Sequence, residues 1–106
     1  MTHHKRILNA IRILANKLFA NTNTSLYLYG SRARGDANKE SDWDLLIVAD
    51  DSINTNDAYD KYVFPFTEMG WSLGEQITPL LYTKKEWNEE RNTAFYINVK
   101  NEAIQL

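Results

Sequence analysis

The chain has 106 residues, of which 43% are hydrophobic and 25% charged, values of an ordinary globular protein with a single domain. A net charge of −2 argues against a general nucleic-acid binder, whose phosphate contacts require a basic surface. Disulfides and thiolate metal sites are excluded because there is no cysteine, and no apolar run approaches the length of a membrane span. We therefore expect one cytoplasmic domain over residues 1–106, without a membrane partner.

The first half of the chain predicts a helix followed by two strands. Apolar residues recur at helical spacing over residues 5–20, and a polar turn follows them. Residues 25–29, rich in Leu and Tyr, predict a short strand, and residues 32–36 a brief helical turn. Residues 44–48 are apolar on both faces, which is typical of a central buried strand. Two histidines at an N-terminal end that we expect to be frayed are expected to be incidental: His3 and His4.

A second helix is predicted after the central strand. Asn56 or Asp57 can cap its start, and the helix is expected to run to about Trp71, with Gly74 as its stop. Pro65 lies inside this segment and predicts a kink, so the helix can divide into two shorter pieces.

The last third of the chain predicts another strand and a terminal helix. The strand covers residues 76–82 and the helix residues 84–92, while the tail, residues 95–106, is left open or continues that helix. Helices that alternate with a few short strands indicate an α/β (α+β) fold, in which helices flank a small mixed β-sheet.

The chemistry of the chain is concentrated in residues 29–48. Asp42 and Asp44 open the central strand, and side chains at positions i and i+2 of a strand project from the same face. Two carboxylates at such a short distance repel each other unless a cation lies between them. Oxygen ligands of this kind suit Mg²⁺ or Mn²⁺. The turn at Gly30 and Ser31 can offer N–H groups and a hydroxyl to phosphates. Trp43 points to the other face and is expected in the core.

These residues resemble a known signature. Gly30-Ser31, Gly35 and the run Ser41-Asp42-Trp43-Asp44-Leu45 are similar to G-S-x-x-x-G followed by x-D-x-D, the signature of the DNA polymerase beta superfamily of nucleotidyltransferases. In length and element order the chain looks like the minimal nucleotidyltransferases of prokaryotes, which are often partnered by a helical HEPN-domain protein. The resemblance implies the nucleotidyltransferase fold.

The resemblance also implies how a nucleoside triphosphate such as ATP is bound. Gly30 lets the backbone approach the triphosphate, and Ser31 donates hydrogen bonds to the β- or γ-phosphate. Arg32 and Arg34 are basic residues that lie beside this turn in the sequence. Arg32 is a candidate phosphate ligand, although both arginines can equally be ordinary surface cations.

For Asp42 and Asp44 the resemblance implies a catalytic and metal-binding role. The two carboxylates bind the Mg²⁺ or Mn²⁺ ions that bridge the phosphates. The family's reaction is the in-line attack of an acceptor hydroxyl on the α-phosphorus, and pyrophosphate leaves. Catalysis of this kind is mostly positioning and electrostatics.

The chain departs from the family pattern in the strand over residues 76–82. Active members usually carry a third carboxylate there, which helps to hold the metal and accepts the proton of the attacking hydroxyl. The equivalent position is Thr78, or Gln76 in a shifted register, and neither is acidic. Glu75 would point to the opposite face of the strand, unless a bulge near Pro79 reorients this segment. Loss of a general base commonly costs about 10²–10⁴-fold in rate.

Two functions are favoured by this pattern, and a third, a small-molecule or RNA nucleotidyltransferase, is disfavoured by the acidic net charge and the lack of an acceptor domain. The first is a metal-dependent nucleotidyltransferase that moves AMP from ATP to a hydroxyl, with a HEPN-type toxin as the favoured acceptor and a partner or a second copy supplying the acceptor surface. The second is a weak or inactive antitoxin or binding module that acts by contact. Exposed aromatic residues would favour the second function, although we expect most of these to be core: Tyr59, Tyr62, Phe64, Phe66 and Trp71.

Overall fold

The fold is organised around a four-stranded mixed sheet, in a computed structural model that describes residues 1–106. The strands are β1 (Ser25–Tyr29), β2 (Trp43–Ala49), β3 (Ile77–Thr83) and β4 (Ile104–Gln105), arranged in the order β3-β2-β1-β4. β1 is antiparallel to both of its neighbours, and β2 is parallel to β3. The predicted α/β class, with helices around a small mixed sheet, is confirmed.

Five α-helices and one π-helical turn connect and cover the strands. They are α1 (His3–Leu18), α2 (Ser31–Arg34), the π-helical turn Tyr59–Val63, α3 (Phe64–Leu73), α4 (Lys84–Glu89) and α5 (Ala94–Glu102). None of these helices combines the length and the apolar character needed to cross a membrane. The two shorter pieces predicted from Pro65 are present only as a change of helix type, because the π-helical turn continues without a break into α3, which carries Pro65 in its first turn. As predicted, this helix ends at Gly74, which has a left-handed conformation, but Ala58 rather than Asn56 or Asp57 precedes its start.

The larger core lies between one face of the sheet and the helices α1 and α3. α1 contributes a stripe at helical spacing, with Ile7 and Ile11 almost fully buried. Alternate residues of β2 point into the same core, and Trp43 is fully buried there, as predicted. Phe66 of α3 closes this core from the far side.

A smaller core lies on the opposite face of the sheet. Leu46 and Val48 of β2 pack there against Val99 of α5, and aromatic side chains of β1, β3, α4 and α5 surround them. β2 is thus buried on both of its faces, which explains its apolar sequence. The odd-even alternation along β2 also determines that Asp42 and Asp44 belong to this second face.

Both ends of the chain differ from the prediction. The N-terminus is ordered into α1 rather than frayed, because Thr2 accepts a hydrogen bond from the N–H of Lys5 at 3.1 Å. The two histidines also have partners: His3 contacts Glu75, and the ring centroid of His4 lies 4.9 Å from that of Trp43.

The C-terminal tail is not a continuation of the preceding helix. α4 begins with a capping box of Thr83 and Glu86 and ends at Glu89. Thr93 then caps a separate helix, α5, through its hydroxyl, and the chain continues into β4. The two-residue strand β4 escaped prediction because its pairing depends on β1, at the other end of the sequence.

Candidate active site

The candidate site lies at the start of β2, on the face of the sheet that carries the smaller core. Asp44 is half-buried and stands between two strands, opposite Tyr29 of β1 and Thr78 of β3. Asp42 precedes β2 by one residue and is exposed. We call Asp42 and Asp44 the acid pair. The carboxylate of Asp42 is near enough to Asp44 to raise its pKa.

The turn at Gly30 faces Asp44 directly. Gly30 has φ 76° and ψ −161°, a backbone conformation that essentially only glycine adopts. A Cβ at this position would overlap Oδ2 of Asp44 and lie 3.3 Å from its Cγ. Ser31 follows as the first residue of α2, which begins without a side-chain cap. The predicted closeness of the glycine-serine turn and the acid pair therefore exists at Asp44.

The electrostatics of the site favour a bound cation. Burial raises the pKa of Asp44 above its usual value, the negative charges of Asp42 and Glu102 raise it further, and Arg34 acts in the opposite direction. Burial, with added repulsion from Asp44, Tyr82 and Glu102, raises the pKa of Tyr29 to about 12. A cation between the carboxylates would relieve this repulsion.

The donor set fits a hard divalent cation such as Mg²⁺ or Mn²⁺. Asp42 and Asp44 supply carboxylate oxygens, and the lack of a side chain at Gly30 leaves room beside Oδ2 of Asp44. No group of three His, Cys, Asp or Glu side chains is placed to hold a metal ion. The remaining ligands of such an ion would be phosphates and water, which is how Mg²⁺ is commonly held.

Arg32 lies elsewhere than we expected of a phosphate ligand. Its side chain is buried, its Cζ lies 4.5 Å from the ring centroid of Trp43, and its Nη2 donates to the carbonyl of Ser41 at 3.0 Å. Since Trp43 points to the face opposite the acid pair, the guanidinium lies on that side too. Arg32 is neither an ordinary surface cation nor aimed at the acid pair, but ties α2 to the segment that carries the acids.

The three positions considered for a third acid do not bring a carboxylate to the site. Thr78 lies beside Asp44 in the parallel register of β2 and β3, as the strand parity predicts. Gln76 is exposed, and its carbonyl accepts the N–H of Trp43 at 2.9 Å. Glu75 contacts His3 with a side chain that is 8% exposed, and the register of β3 continues through Pro79 without the bulge that could re-aim it.

Two further charged residues lie at the site, and the sequence pointed to only one of them. Arg34, the last residue of α2, was noted with Arg32 beside the turn as either a phosphate ligand or an ordinary surface cation. Glu102 comes from the end of α5, where its Oε2 accepts a hydrogen bond from Nη1 of Arg34 at 2.7 Å. Glu102 was missed because no local pattern links residues so far apart in sequence.

Comparisons with known proteins identify the family of the chain. Residues 9–104 match the family described as Nucleotidyltransferase domain. A Methanocaldococcus jannaschii protein with the provisional name protein adenylyltransferase MJ0604 is 29% identical over 106 residues, covering 100% of this chain and 99% of its own.

Solved structures share the fold. The crystal structure of a provisionally named nucleotidyltransferase from Sulfolobus solfataricus superimposes with a TM-score of 0.62 at 20% identity, covering 96% of this chain and 80% of that one. A toxin–antitoxin structure with AMP-PNP gives 0.58 at 17% identity, covering 92% and 69%. A mutant form of the toxin–antitoxin MntA–HpeT gives 0.58 at 15% identity, also covering 92% and 69%. Because the family match spans nearly the whole sequence, this chain belongs to the nucleotidyltransferase domain family.

Proposed function

We propose that this chain is a Mg²⁺- or Mn²⁺-dependent nucleotidyltransferase that transfers AMP from ATP to a hydroxyl group of a partner protein. The observation that carries the proposal is the close approach of the Gly30 backbone to Asp44, with Asp42 next to it. This approach joins a backbone turn that suits phosphates to the two carboxylates that suit a divalent cation.

The choice of AMP and of a protein acceptor is supported by the relatives. The M. jannaschii relative is named for protein adenylylation, and one structure that shares the fold is a toxin–antitoxin complex with AMP-PNP. A HEPN-type toxin is the acceptor that the sequence resemblance implies. A single small domain has little surface for a large acceptor, so a partner subunit or a second copy would supply it.

Each residue of the site has a role in this reaction. Asp42 and Asp44 would hold the divalent cation, which neutralises charge that develops on the phosphates. Gly30 leaves space for the triphosphate, and the hydroxyl of Ser31 donates to it. Arg34 uses two of its five N–H donors within the protein, on Asp36 and Glu102, and its remaining donors are free for phosphate.

The proton of the acceptor hydroxyl has no carboxylate of β3 to receive it. Thr78 occupies the relevant position, and Glu75 is engaged with His3. The proton would pass to water or to a group of the acceptor itself. Because a positioned general base commonly contributes about 10²–10⁴-fold, we expect slow turnover on simple acceptors and faster turnover on the cognate partner.

Calorimetric titration with ATP and Mg²⁺ tests the metal and nucleotide assignment. The wild type should bind, whereas the double variant Asp42→Asn/Asp44→Asn should lose most of the affinity. A matched control, Asp57→Asn/Asp60→Asn, removes two exposed carboxylates from the region of the π-helical turn and should bind like the wild type. Equal affinity of the wild type and the acid-pair variant would refute the assignment.

A second candidate function is an antitoxin of this fold that neutralises its partner by contact alone. This second function is favoured by the presence of Thr78, and not an acid, beside Asp44. It is also favoured by two exposed aromatic side chains, Tyr59 at 59% and Trp71 at 67%. Of the remaining aromatics considered, Phe66 is core and Tyr62 and Phe64 are half-buried. Label transfer from α-labelled ATP to a co-purified helical partner would support the enzyme, and stable binding to that partner without label transfer would support the second function.

A further inference from the structure

The C-terminal segment brings Glu102 to Arg34, the last residue of α2, which follows the turn at Gly30 and Ser31. β4 pairs with β1 so that Tyr27 lies opposite Gln105 and Leu28 opposite Ile104, and Glu102, the last residue of α5, precedes this pairing by two residues. The N–H of Leu106 donates to the carbonyl of Leu26 at 2.9 Å and secures this segment beyond β4. The side chain of Glu102 is only 17% exposed, so it is directed into the protein surface rather than into solvent.

Arg34 is the partner of Glu102 and also a neighbour of the acid pair. Its Nη1 donates to Glu102 at 2.7 Å and its Nε donates to Asp36 at 3.1 Å. Its positive charge lowers the pKa of Asp44, although burial and Asp42 dominate that pKa in the other direction. Arg34 therefore acts on Asp44 through its charge, while its hydrogen bonds go to Asp36 and Glu102.

This division of partners has a consequence for the site. A guanidinium that moved freely beside two carboxylates would pair with them, since arginine–carboxylate pairs are among the stronger polar contacts. Such a pair would neutralise the oxygens that a divalent cation needs. Held by Glu102 on one edge, Arg34 leaves the acid pair open and keeps its other N–H donors in a fixed orientation.

We propose that Glu102 is a positioning residue that holds Arg34 in place for the phosphates of the nucleotide and away from Asp42 and Asp44. The proposal rests on the function proposed above. It assigns to the C-terminal helix a part in nucleotide binding.

A double-mutant cycle between Arg34 and Glu102 tests the proposal. ATP with Mg²⁺, and separately inorganic tripolyphosphate with Mg²⁺, would be titrated into the wild type, Arg34→Gln, Glu102→Gln and the double variant. Each single variant should weaken binding by roughly tenfold, and the double variant should bind no more weakly than Arg34→Gln alone, because both changes remove one coupled contact. Tripolyphosphate should show the same pattern as ATP, since the contact is with phosphates.

Two further variants separate positioning from charge and from folding. Glu102→Asp keeps the carboxylate and should recover part of the affinity. Glu89→Gln removes an exposed carboxylate from α4 and should bind like the wild type. All variants should keep the wild-type unfolding midpoint within a few degrees, because an ion pair at the protein surface, whose arginine is half-exposed, contributes little to stability.

The outcomes distinguish the two proposals. If Glu102→Gln weakens binding as much in the Arg34→Gln background as in the wild type, or if either single variant binds normally, Glu102 does not act through Arg34 and this proposal is overturned. A wild type that binds neither ATP nor tripolyphosphate would overturn the nucleotidyltransferase proposal and this one with it.

Discussion

Gly30 and Gly35 flank α2, and both have positive φ, 76° and 87°. Their surroundings differ. A Cβ at Gly35 would meet nothing within 4 Å, whereas a Cβ at Gly30 would meet the carboxylate of Asp44. The ψ of Gly30, −161°, adds a backbone conformation that other residues avoid, while Gly35, with ψ 9°, has an ordinary left-handed one.

Alanine at these two positions should therefore have different effects. Gly30→Ala should lower the free energy of unfolding by about 2–4 kcal/mol and abolish nucleotide binding, through backbone strain and overlap with Asp44. Gly35→Ala should cost about 1 kcal/mol, from left-handed strain alone, and leave binding intact. Urea denaturation and nucleotide titration would measure both effects. Equal losses at the two glycines would contradict the close approach at Gly30.

At Asp44 function and stability oppose each other. Burial and the neighbouring acids raise the pKa of Asp44 in the folded state above its value in the unfolded chain. The folded state therefore loses stability as the pH rises from the unfolded pKa through the folded one and this carboxylate ionises. Without metal, Asp44→Asn should raise the unfolding midpoint by a few degrees at pH 7, and the difference should vanish near pH 3, where both side chains are neutral.

Asp50 supplies the opposite control. Hydrogen bonds from the backbone N–H and the hydroxyl of Ser52 lower its pKa, so its ionised form favours the fold. Asp50→Asn should lower or leave unchanged the midpoint at pH 7. Thermal unfolding of both variants across pH tests the pair, and a destabilised Asp44→Asn would contradict the electrostatic account.

At the scale of elements, Arg32 joins the two parts of the signature. α2 and the start of β2 are separated by a loop with little regular structure. The guanidinium of Arg32 spans this gap, stacked on Trp43 and donating to the carbonyl of Ser41. The relative position of the glycine-serine turn and the acid pair thus depends on a residue that touches neither phosphate nor metal in our proposal.

Replacement of Arg32 should disturb both stability and the site. Arg32→Met keeps most of the volume but loses the cation–π contact and the hydrogen bond, and should lower the free energy of unfolding by about 1–3 kcal/mol. We also expect weaker nucleotide binding. Arg12→Met, at an exposed position of α1, should change stability by less than about 0.5 kcal/mol. Chemical denaturation of both variants measures these changes in stability. Equal losses of stability in the two variants would contradict the proposal that Arg32 connects α2 to the start of β2.

At the scale of the whole molecule, the sheet is covered by helices on both faces, and the candidate site lies where the cover of the second face ends. α5 packs on that face at Val99 and stops at Glu102, near Asp44. The site is therefore assembled from four regions of the chain: the turn after β1, the start of β2, strand β3 and the C-terminal end of α5.

Ligand binding at such an assembled site should stabilise the whole domain. At 100 times the dissociation constant, ATP with Mg²⁺ should add about 2.7 kcal/mol, which corresponds to a rise of about 10 °C in the unfolding midpoint of a domain of this size. The rise should depend on nucleotide concentration and disappear in Asp42→Asn/Asp44→Asn. An unfolding midpoint that does not change with nucleotide concentration would contradict binding to the folded state.

Local patterns in the sequence predicted much of this protein. The helical stripe of α1, the doubly apolar run of β2 and the turn at Gly30 each depend on neighbours within a few residues, and each lies where it was expected within a few residues. The alternation of side chains along β2 likewise placed Trp43 in the core and Asp44 on the other face.

What local patterns determine is the conformation of short segments, because periodicity, capping and turn chemistry act between residues close in the chain. The pairing of β4 with β1, the stacking of Arg32 on Trp43 and the contact of Glu102 with Arg34 join residues that only the folded chain brings together. Sequence alone thus identified the acid pair and the glycine that faces it. Only the tertiary structure decided which arginine stands beside the acids and which distant carboxylate holds it, since these depend on packing between elements rather than on spacing within one.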